Sequence, residues 1–114
     1  MTTLDQITTW SDVCAFDDLM PGRGACALVD GYQVALFRLQ DDALFAVSNY
    51  DPFSEAFVLS RGIVGSRGGT DKVASPVYKQ SFDLRTGACL DDPSVSIMTF
   101  PVRVIDGRVS IGLP

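Results

Sequence analysis

Short apolar runs, separated by Gly, Pro and Asp, follow one another along most of the chain. The runs at residues 24–29 and 32–39 flank Asp30-Gly31, and a further run at residues 43–47 follows a polar turn. A two-residue Asp-Gly between apolar runs is typical of a β-hairpin, because both residues accept the positive φ angles of a tight turn. The pattern therefore predicts three consecutive antiparallel strands.

The C-terminal part of the chain carries a second hairpin signal. Asp106-Gly107 separates an apolar stretch at residues 97–105 from a predicted final strand at residues 108–113. Pro101 interrupts the first stretch, and a residue without a backbone N–H favours an edge strand or the start of a strand. The alternating apolar positions are Val102, Val104, Val109 and Ile111. This alternation predicts a hairpin with one buried face.

The middle of the chain is less regular. The apolar positions of residues 53–58 fit neither the strand period nor the helix period, which favours a short helical turn there. Four glycines then follow between residues 62 and 69, without the GxxxxGK[ST] or GxGxxG spacing of phosphate-binding loops, so we interpret them as turns. Further short strands are predicted at residues 8–15, 63–64, 72–74 and 82–84. Many short strands and no long amphipathic helix predict a small all-β sandwich or barrel with little helix.

Length, composition and charge narrow the class of protein. A chain of 114 residues suits one domain, so we assign residues 1–114 to a single domain. The net charge of −5 argues against nucleic acid or an anionic membrane as the partner. We expect a cytoplasmic protein, because the sequence shows neither a signal peptide nor an apolar run of the ~18 residues that span a membrane. The odd number of cysteines (Cys14, Cys26 and Cys89) predicts free thiols.

Residues 75–87 read SPVYKQSFDLRTG and predict a loop, a strand and a tight turn. The segment resembles Rieske-type iron–sulfur domains, which carry Cys-Pro-x-His and then Phe-Asp-x-x-x-Gly at this place. In that alignment Ser75 replaces the cysteine and Tyr78 replaces the histidine. The matching positions are Pro76, Phe82, Asp83 and Gly87. The alternative is an ordinary hairpin, but matches recur in order across both halves of the site, which favours the resemblance.

The upstream half of a Rieske site is Cys-x-His, and here the corresponding stretch reads Ser48-Asn49-Tyr50-Asp51-Pro52. Asn49 and Asp51 therefore stand at the other two ligand positions. A Rieske cluster needs two thiolates and two imidazoles, whereas this chain has no histidine and no Cys-x-x-Cys pair. We expect no cluster, no other metal and no catalytic residue in this chain. The side chains at the four vacated positions are expected to form a polar network or to be solvated.

Within the Rieske-like group, residues 10–113 look most like the small-subunit family of assimilatory NAD(P)H-dependent nitrite reductases. The resemblance implies a Rieske-like antiparallel β-sandwich with a small inserted lobe at about residues 49–82. It also implies a large catalytic subunit, whose flavin, iron–sulfur cluster and sirohaem reduce nitrite to ammonium, while this chain holds no cofactor. Without a histidine base or a GxSxG motif, the isolated chain is expected to be inactive. A cluster-free binding or regulatory module for another redox system is the alternative, and a co-purifying large subunit would separate the two.

Basic residues are concentrated in the predicted lobe. Between Ser60 and Arg85 the chain has five basic residues and only two acidic ones. The basic residues are Arg61, Arg67, Lys72, Lys79 and Arg85. A positive lobe on an acidic protein can steer association, and the resemblance implies that this lobe faces redox partners. We therefore expect the lobe to contact the large subunit, with the acidic face around Asp17 and Asp18 as the next candidate.

Overall fold

The computed structural model describes residues 9–114, which form twelve β-strands, two 3-10 turns and no α-helix. The strands are β1 (Thr9–Ala15), β2 (Arg23–Val29), β3 (Tyr32–Arg38), β4 (Leu44–Ser48), β5 (Tyr50–Asp51), β6 (Ala56–Phe57), β7 (Ile63–Arg67), β8 (Thr70–Ala74), β9 (Ser81–Asp83), β10 (Thr99–Phe100), β11 (Val102–Ile105) and β12 (Arg108–Leu113). The predicted all-β class is confirmed, whereas Thr8, the predicted start of β1, lies outside the described residues. No helical segment in this range is long and apolar enough to cross a membrane.

Two antiparallel sheets form the main body, in the orders β1-β12-β11 and β10-β4-β3-β2. Strand β3 is buried on both faces, and its consecutive side chains alternate between two hydrophobic cores. Val34 and Leu36 pack in the core that includes residues of β12, while Ala35 and Phe37 pack in the core shared with the lobe. Residues 34–37 of β3 are all buried, so this stretch is apolar throughout instead of alternating with polar residues.

A smaller lobe is inserted between β4 and β10. It consists of the two-stranded sheet β5-β6 and the three-stranded sheet β7-β8-β9. Leu59, Val73 and Phe82 are fully buried and anchor the lobe against β3 and β4. Phe82 belongs to the Phe-Asp motif, so this part of the motif is a core residue of the lobe.

The predicted hairpin turns are confirmed. Asp30 and Gly31 have φ angles of 47° and 84°, and Asp106 and Gly107 have φ angles of 52° and 75°. Positive φ at both central residues is the geometry of a type I′ turn, which matches the twist of the flanking strands. The strands β2, β3 and β4 pair consecutively and antiparallel, as the sequence predicted.

The helical turn expected at residues 53–58 was wrong. The segment contains strand β6, and a 3-10 turn follows directly at Leu59–Arg61. The hydrogen-bonded turn stands earlier, because the Glu55 N–H donates to the Asp51 carbonyl oxygen (2.8 Å) and the Phe53 N–H donates to the Asp51 side chain (2.9 Å). Residues 51–55 therefore form a single turn that ends before β6. Glu55 then adopts a φ of 56°, which brings β6 back to pair with β5.

The single buried face predicted for the C-terminal hairpin is correct for β12 and wrong for β11. Val109 is fully buried, but its cross-strand partner Val104 is 45% exposed. The chain changes sheets at Pro101, because β10 pairs with β4 while β11 pairs with β12. Strand β11 is consequently an edge strand, and its outer end extends past the core.

Candidate functional site

Asp51 is fully buried and is the centre of a hydrogen-bond network at the base of the lobe. Its Oδ2 accepts hydrogen bonds from Ser75 Oγ (2.5 Å) and Ser54 Oγ (2.8 Å), and its Oδ1 accepts one from the Phe53 N–H (2.9 Å). Burial by itself raises the pKa of this carboxyl, but the hydrogen bonds from Ser75, Ser54 and Phe53 together hold the pKa below its ordinary value. Asp51 is therefore a charged and fully bonded carboxylate.

Ser75 joins the Asp51 turn to a second loop. The N–H of Ser75 donates to the carbonyl oxygen of Gln80 (2.9 Å), and the N–H of Lys79 donates to that of Ser75 (3.1 Å). Tyr78 lies on the outside of this loop and is 62% exposed. The structure thus brings Asp51 and Ser75 into direct contact, whereas Tyr78 is solvated on the same loop.

Asn49 belongs to a separate buried network. Its Oδ1 accepts a hydrogen bond from the Ser60 N–H (2.7 Å), and its Nδ2 lies 3.4 Å from both Cys26 Sγ and Gln33 Oε1. The amide therefore connects the Leu59–Arg61 turn to β2 and β3. Within residues 9–114 its side chain makes no hydrogen bond to Asp51 or Ser75.

The sequence analysis missed Ser54, Ser60 and Gln33, which complete these two networks. Ser54 stands three residues after Asp51, and that spacing in a turn was the one local signal available. Ser60 and Gln33 approach Asn49 from the lobe and from β3, so no local pattern could have indicated them. Their role is to satisfy buried polar groups that would otherwise destabilise the fold.

The side chains at the four vacated positions do not fit a Rieske cluster. They offer an amide, a carboxylate, a hydroxyl and a phenol in place of two thiolates and two imidazoles. Both oxygens of Asp51 are already used by donors of the protein itself. Among the residues described, no group of three or more His, Cys, Asp or Glu side chains could hold a metal ion. All three cysteines are free thiols.

The five basic residues of the lobe differ in how their charges are used. Three of them have partners, since Arg67 pairs with Asp91 (3.1 Å), Lys72 donates to Ser81 Oγ (3.1 Å) and Arg85 lies 3.7 Å from Asp71. The other two, Arg61 and Lys79, make no ion pair within the described part of the chain. The positive charge available to a partner is therefore smaller than the sequence suggested, because carboxylates neutralise Arg67 and Arg85. Lys72 keeps its charge but is half-buried, so the exposed charge without a carboxylate partner lies on Arg61 and Lys79.

Asp91 is the acidic residue that the sequence count left out. It stands outside the counted stretch but accepts a hydrogen bond from the Ser81 N–H (2.8 Å) as well as the Arg67 ion pair. The Ser81 N–H and then Arg67 hold the pKa of Asp91 below its ordinary range. One carboxylate thus fixes the β9 end of the lobe and neutralises part of its charge.

Apolar side chains are exposed on β6, which pairs with the strand of Asp51, and on the loop that contains Ser75. Phe57, Val77 and Tyr78 form this surface, which we call the lobe tip. The ring of Phe57 packs against that of Tyr50 at a centroid distance of 5.1 Å, so one side of the lobe tip is held in place by an aromatic pair. Exposed apolar side chains on well-anchored loops are typical of a protein contact surface.

Comparison with known proteins identifies the family. The Rieske-like [2Fe-2S] domain family matches residues 9–112. The NADH nitrite reductase small subunit of Salmonella typhimurium is 46% identical over 106 residues, which are 92% of this chain and 98% of that protein. This chain belongs to the nitrite reductase small-subunit family. The family membership predicted from the sequence is therefore confirmed, and so is the predicted Rieske-like fold.

Two further relatives extend the comparison. The crystal structure of a protein described as an NADH-dependent nitrite reductase small subunit from Mycobacterium tuberculosis is 54% identical, with a TM-score of 0.90 over 93% of this chain and 96% of that one. A nitrite reductase [NAD(P)H] large subunit from Klebsiella oxytoca is 40% identical over 103 residues, which are 90% of this chain but 11% of that protein. In the Klebsiella protein, a small-subunit domain is thus one part of a much longer polypeptide.

Proposed function

We propose that this chain is the cofactor-free small subunit of an NAD(P)H-dependent nitrite reductase and acts through its large subunit in the reduction of nitrite to ammonium. The observation that carries the proposal is the 46% identity over almost the full length of a nitrite reductase small subunit. The Klebsiella polypeptide supports the pairing, because one chain there includes both a large subunit and a domain like this one. The family resemblance assigns flavin, iron–sulfur cluster and sirohaem to the large subunit, and we propose a cytoplasmic complex.

Co-expression with the large subunit from the same genome tests this function. We expect the tagged chain to elute together with the large subunit, and NAD(P)H-dependent nitrite reduction to require both proteins. The isolated chain should show no such activity. Elution without any large subunit would favour instead a regulatory module of another redox system.

We expect the purified chain to be colourless, because its donor set does not fit a [2Fe-2S] cluster. Iron and acid-labile sulfide should be far below one equivalent per chain, and the absorption bands of a Rieske cluster should be missing. A Rieske ferredoxin purified from the same host by the same protocol is the control for cluster supply. Stoichiometric iron in this chain would contradict the cluster-free assignment.

We also propose that the lobe tip contacts the large subunit, with Arg61 and Lys79 beside it as steering charges. Replacing both residues by Glu should slow association about tenfold at low salt, because complementary charges act mainly on the association rate. Raised salt should slow the wild-type chain in the same way. Stopped-flow or surface plasmon resonance gives the rates.

Arg103→Glu is the control for a single charge reversal, since it lies on β11, away from the lobe, and it is compared with Lys79→Glu alone. It should leave the association rate nearly unchanged. Arg61 and Lys79 are exposed, so their replacement should keep stability within about 0.5 kcal/mol of the wild type. Arg103 lies over the ring of Trp10 at 4.1 Å, so Arg103→Glu should lose about 0.5–1 kcal/mol. Equal rates for wild type and the Arg61/Lys79 variant at low salt would place the interface elsewhere.

A further inference from the structure

Two strand edges line one cleft between the main sheets. Strand β1 pairs with β12 alone and β2 pairs with β3 alone among the described residues, so each has one edge without a strand partner. Residues 11–14 of β1 and 25–29 of β2 line the same cleft, whose volume is about 710 Å³. An unpaired edge offers backbone N–H and C=O groups to an added strand.

The two edges differ in how they are protected. Strand β1 carries Asp12 and a register shift between Asp12 and Cys14, and both a charge and a bulge discourage pairing with another strand. The interior of β2, residues 24–29, reads GACALV and has no charge, no proline and no bulge. Leu28 of this strand is 75% exposed and points to the face of β2 opposite to that of the neighbouring Val29, which packs in the core. The edge of β2 therefore lacks the features that protect exposed strand edges, as is typical of an edge that a binding partner covers.

The lining of the cleft indicates the chemistry of that partner. Its floor is apolar and includes the buried side chains of Leu19, Val29 and Leu36. Burial and the Asp18 carboxylate raise the pKa of the Cys14 thiol, so this side chain is uncharged at neutral pH and adds to the floor. The matching segment carries apolar side chains at alternate positions of an extended strand.

The rim of the cleft is acidic. Asp18 and Asp30 line it, while Asp12 is already paired with Arg108 at 2.8 Å. A basic partner is therefore complementary to this rim. A second copy of the chain is disfavoured, because pairing two β2 edges would bring the same acidic rims together in a chain of net charge −5.

The ends of the domain lie near the cleft as well. Thr9 and Leu113 are cross-strand partners, so the two ends of the described domain lie side by side. Thr9 stands two residues before Ser11, where β1 begins to line the cleft. In the Klebsiella protein the polypeptide extends beyond a domain of this kind, so large-subunit sequence begins close to this position. A covalent connection of that sort raises the effective concentration of a partner segment near the cleft.

We propose that an extended segment of the nitrite reductase large subunit adds to β2 as a strand and covers this cleft. Apolar side chains on one face of this added strand pack on the cleft floor, and an apolar side chain on its other face lies beside Leu28. Its Lys or Arg side chains lie near Asp18 and Asp30. Main-chain hydrogen bonds provide affinity in such strand addition, while the side-chain pockets provide selectivity. This inference rests on the proposed function, because it takes the large subunit as the partner.

Hydrogen exchange of the full-length chain, alone and in complex with its large subunit, tests the placement. Alternate amides among residues 24–29 should exchange more slowly in the complex, because only every second N–H of an antiparallel edge points outward. The amides of β11, the other edge strand of the β1 sheet, serve as the internal control and should not change. Unchanged exchange at residues 24–29 in a complex that does form would overturn the proposal and leave the proposed function intact.

A pair of matched variants tests the contact itself. Leu28→Glu should weaken binding of the large subunit about tenfold or more, since it places a carboxylate in an apolar contact beside an acidic rim. Ile105→Glu makes a comparable change at an exposed apolar residue of β11, and it should bind like the wild type. Because both positions are exposed, both variants are expected to fold, which circular dichroism verifies. Equal affinities of the two variants would overturn the proposal.

Two other results would reassign the cleft. Residues 24–29 could exchange slowly in the free chain and become fast on deletion of residues 2–8. That result would assign the cleft to the chain's own N-terminal segment. Slow exchange that depends on the concentration of the chain alone would assign it to a second copy. Either result overturns the proposal. Absence of any complex with the wild-type chain would overturn the proposed function together with it.

Discussion

Gly87→Ala is expected to destabilise the chain by about 3–5 kcal/mol, from backbone strain and overpacking together. Gly87 has a φ of 79°, and a Cβ atom at this position would overlap the carbonyl oxygen of Ile97. The N–H of Gly87 donates to the carbonyl oxygen of Asp83, and its own carbonyl oxygen accepts from Ile97, both at 2.8 Å. The backbone is therefore fixed from both sides and cannot move away from the added atom.

Two other glycines separate the two causes of this effect. Gly107 has a φ of 75° but open space around it, so Gly107→Ala should lose only the ~1–2 kcal/mol of left-handed strain. Gly65 has open space and no positive φ, so Gly65→Ala should stay within about 0.5 kcal/mol of the wild type. Urea unfolding of the three variants gives the comparison. If Gly87→Ala and Gly107→Ala had the same free energy of unfolding, the overlap of the added Cβ with Ile97 would be contradicted.

Asp51→Ala is expected to destabilise the chain by about 3 kcal/mol, because it leaves three donors without their buried acceptor. Ser75 Oγ is itself fully buried and loses its partner in the neighbouring turn. Asp51→Asn keeps the size of the side chain and one oxygen, so it should lose roughly half as much. Asp106→Asn is the control, since it removes an exposed carboxylate and keeps a residue suited to its turn.

The pH dependence of these variants gives a second measurement. Because the folded-state pKa of Asp51 lies below its unfolded value of about 3.9, its charge contributes stability that is fully present above that value. This contribution is lost as the pH falls through the lower folded-state pKa. The stability gap between wild type and Asp51→Asn should therefore narrow as the pH falls below about 4. A gap of the same size at neutral and at strongly acidic pH would contradict a charged Asp51.

Sequence reasoning succeeded where the cause of a structure is local. Asp30-Gly31 specifies its turn through two backbone angles, and no other part of the chain is needed. The Phe-Asp-x-x-x-Gly match was informative for a physical reason that does not involve a cluster. Phe82 fills the lobe core, Asp83 bonds the backbone around the turn, and Gly87 fits where a side chain cannot. The motif thus persists because the fold itself requires it.

Sequence reasoning was weaker where residues distant in the chain meet. The resemblance indicated that Asp51 and Ser75 are neighbours, but no pattern could show that Asn49 bonds elsewhere. The Arg67–Asp91 ion pair joins residues 24 positions apart and changes the charge of the lobe. Val104 follows the apolar alternation, and its exposure depends on which sheet covers it. Each of these depends on how the two main sheets and the lobe are packed, which periodicity does not encode.

Strand β3 contributes alternate side chains to both hydrophobic cores, and this arrangement has a kinetic consequence for the complex. Because neither core can be lost without disrupting β3, the lobe and the main sheets should unfold in one transition rather than separately. The lobe tip and the β2 edge therefore belong to one cooperative unit, which β3 connects. A partner that engages both surfaces can release one while the other keeps it in place for rebinding, so its residence time should exceed that of either contact alone.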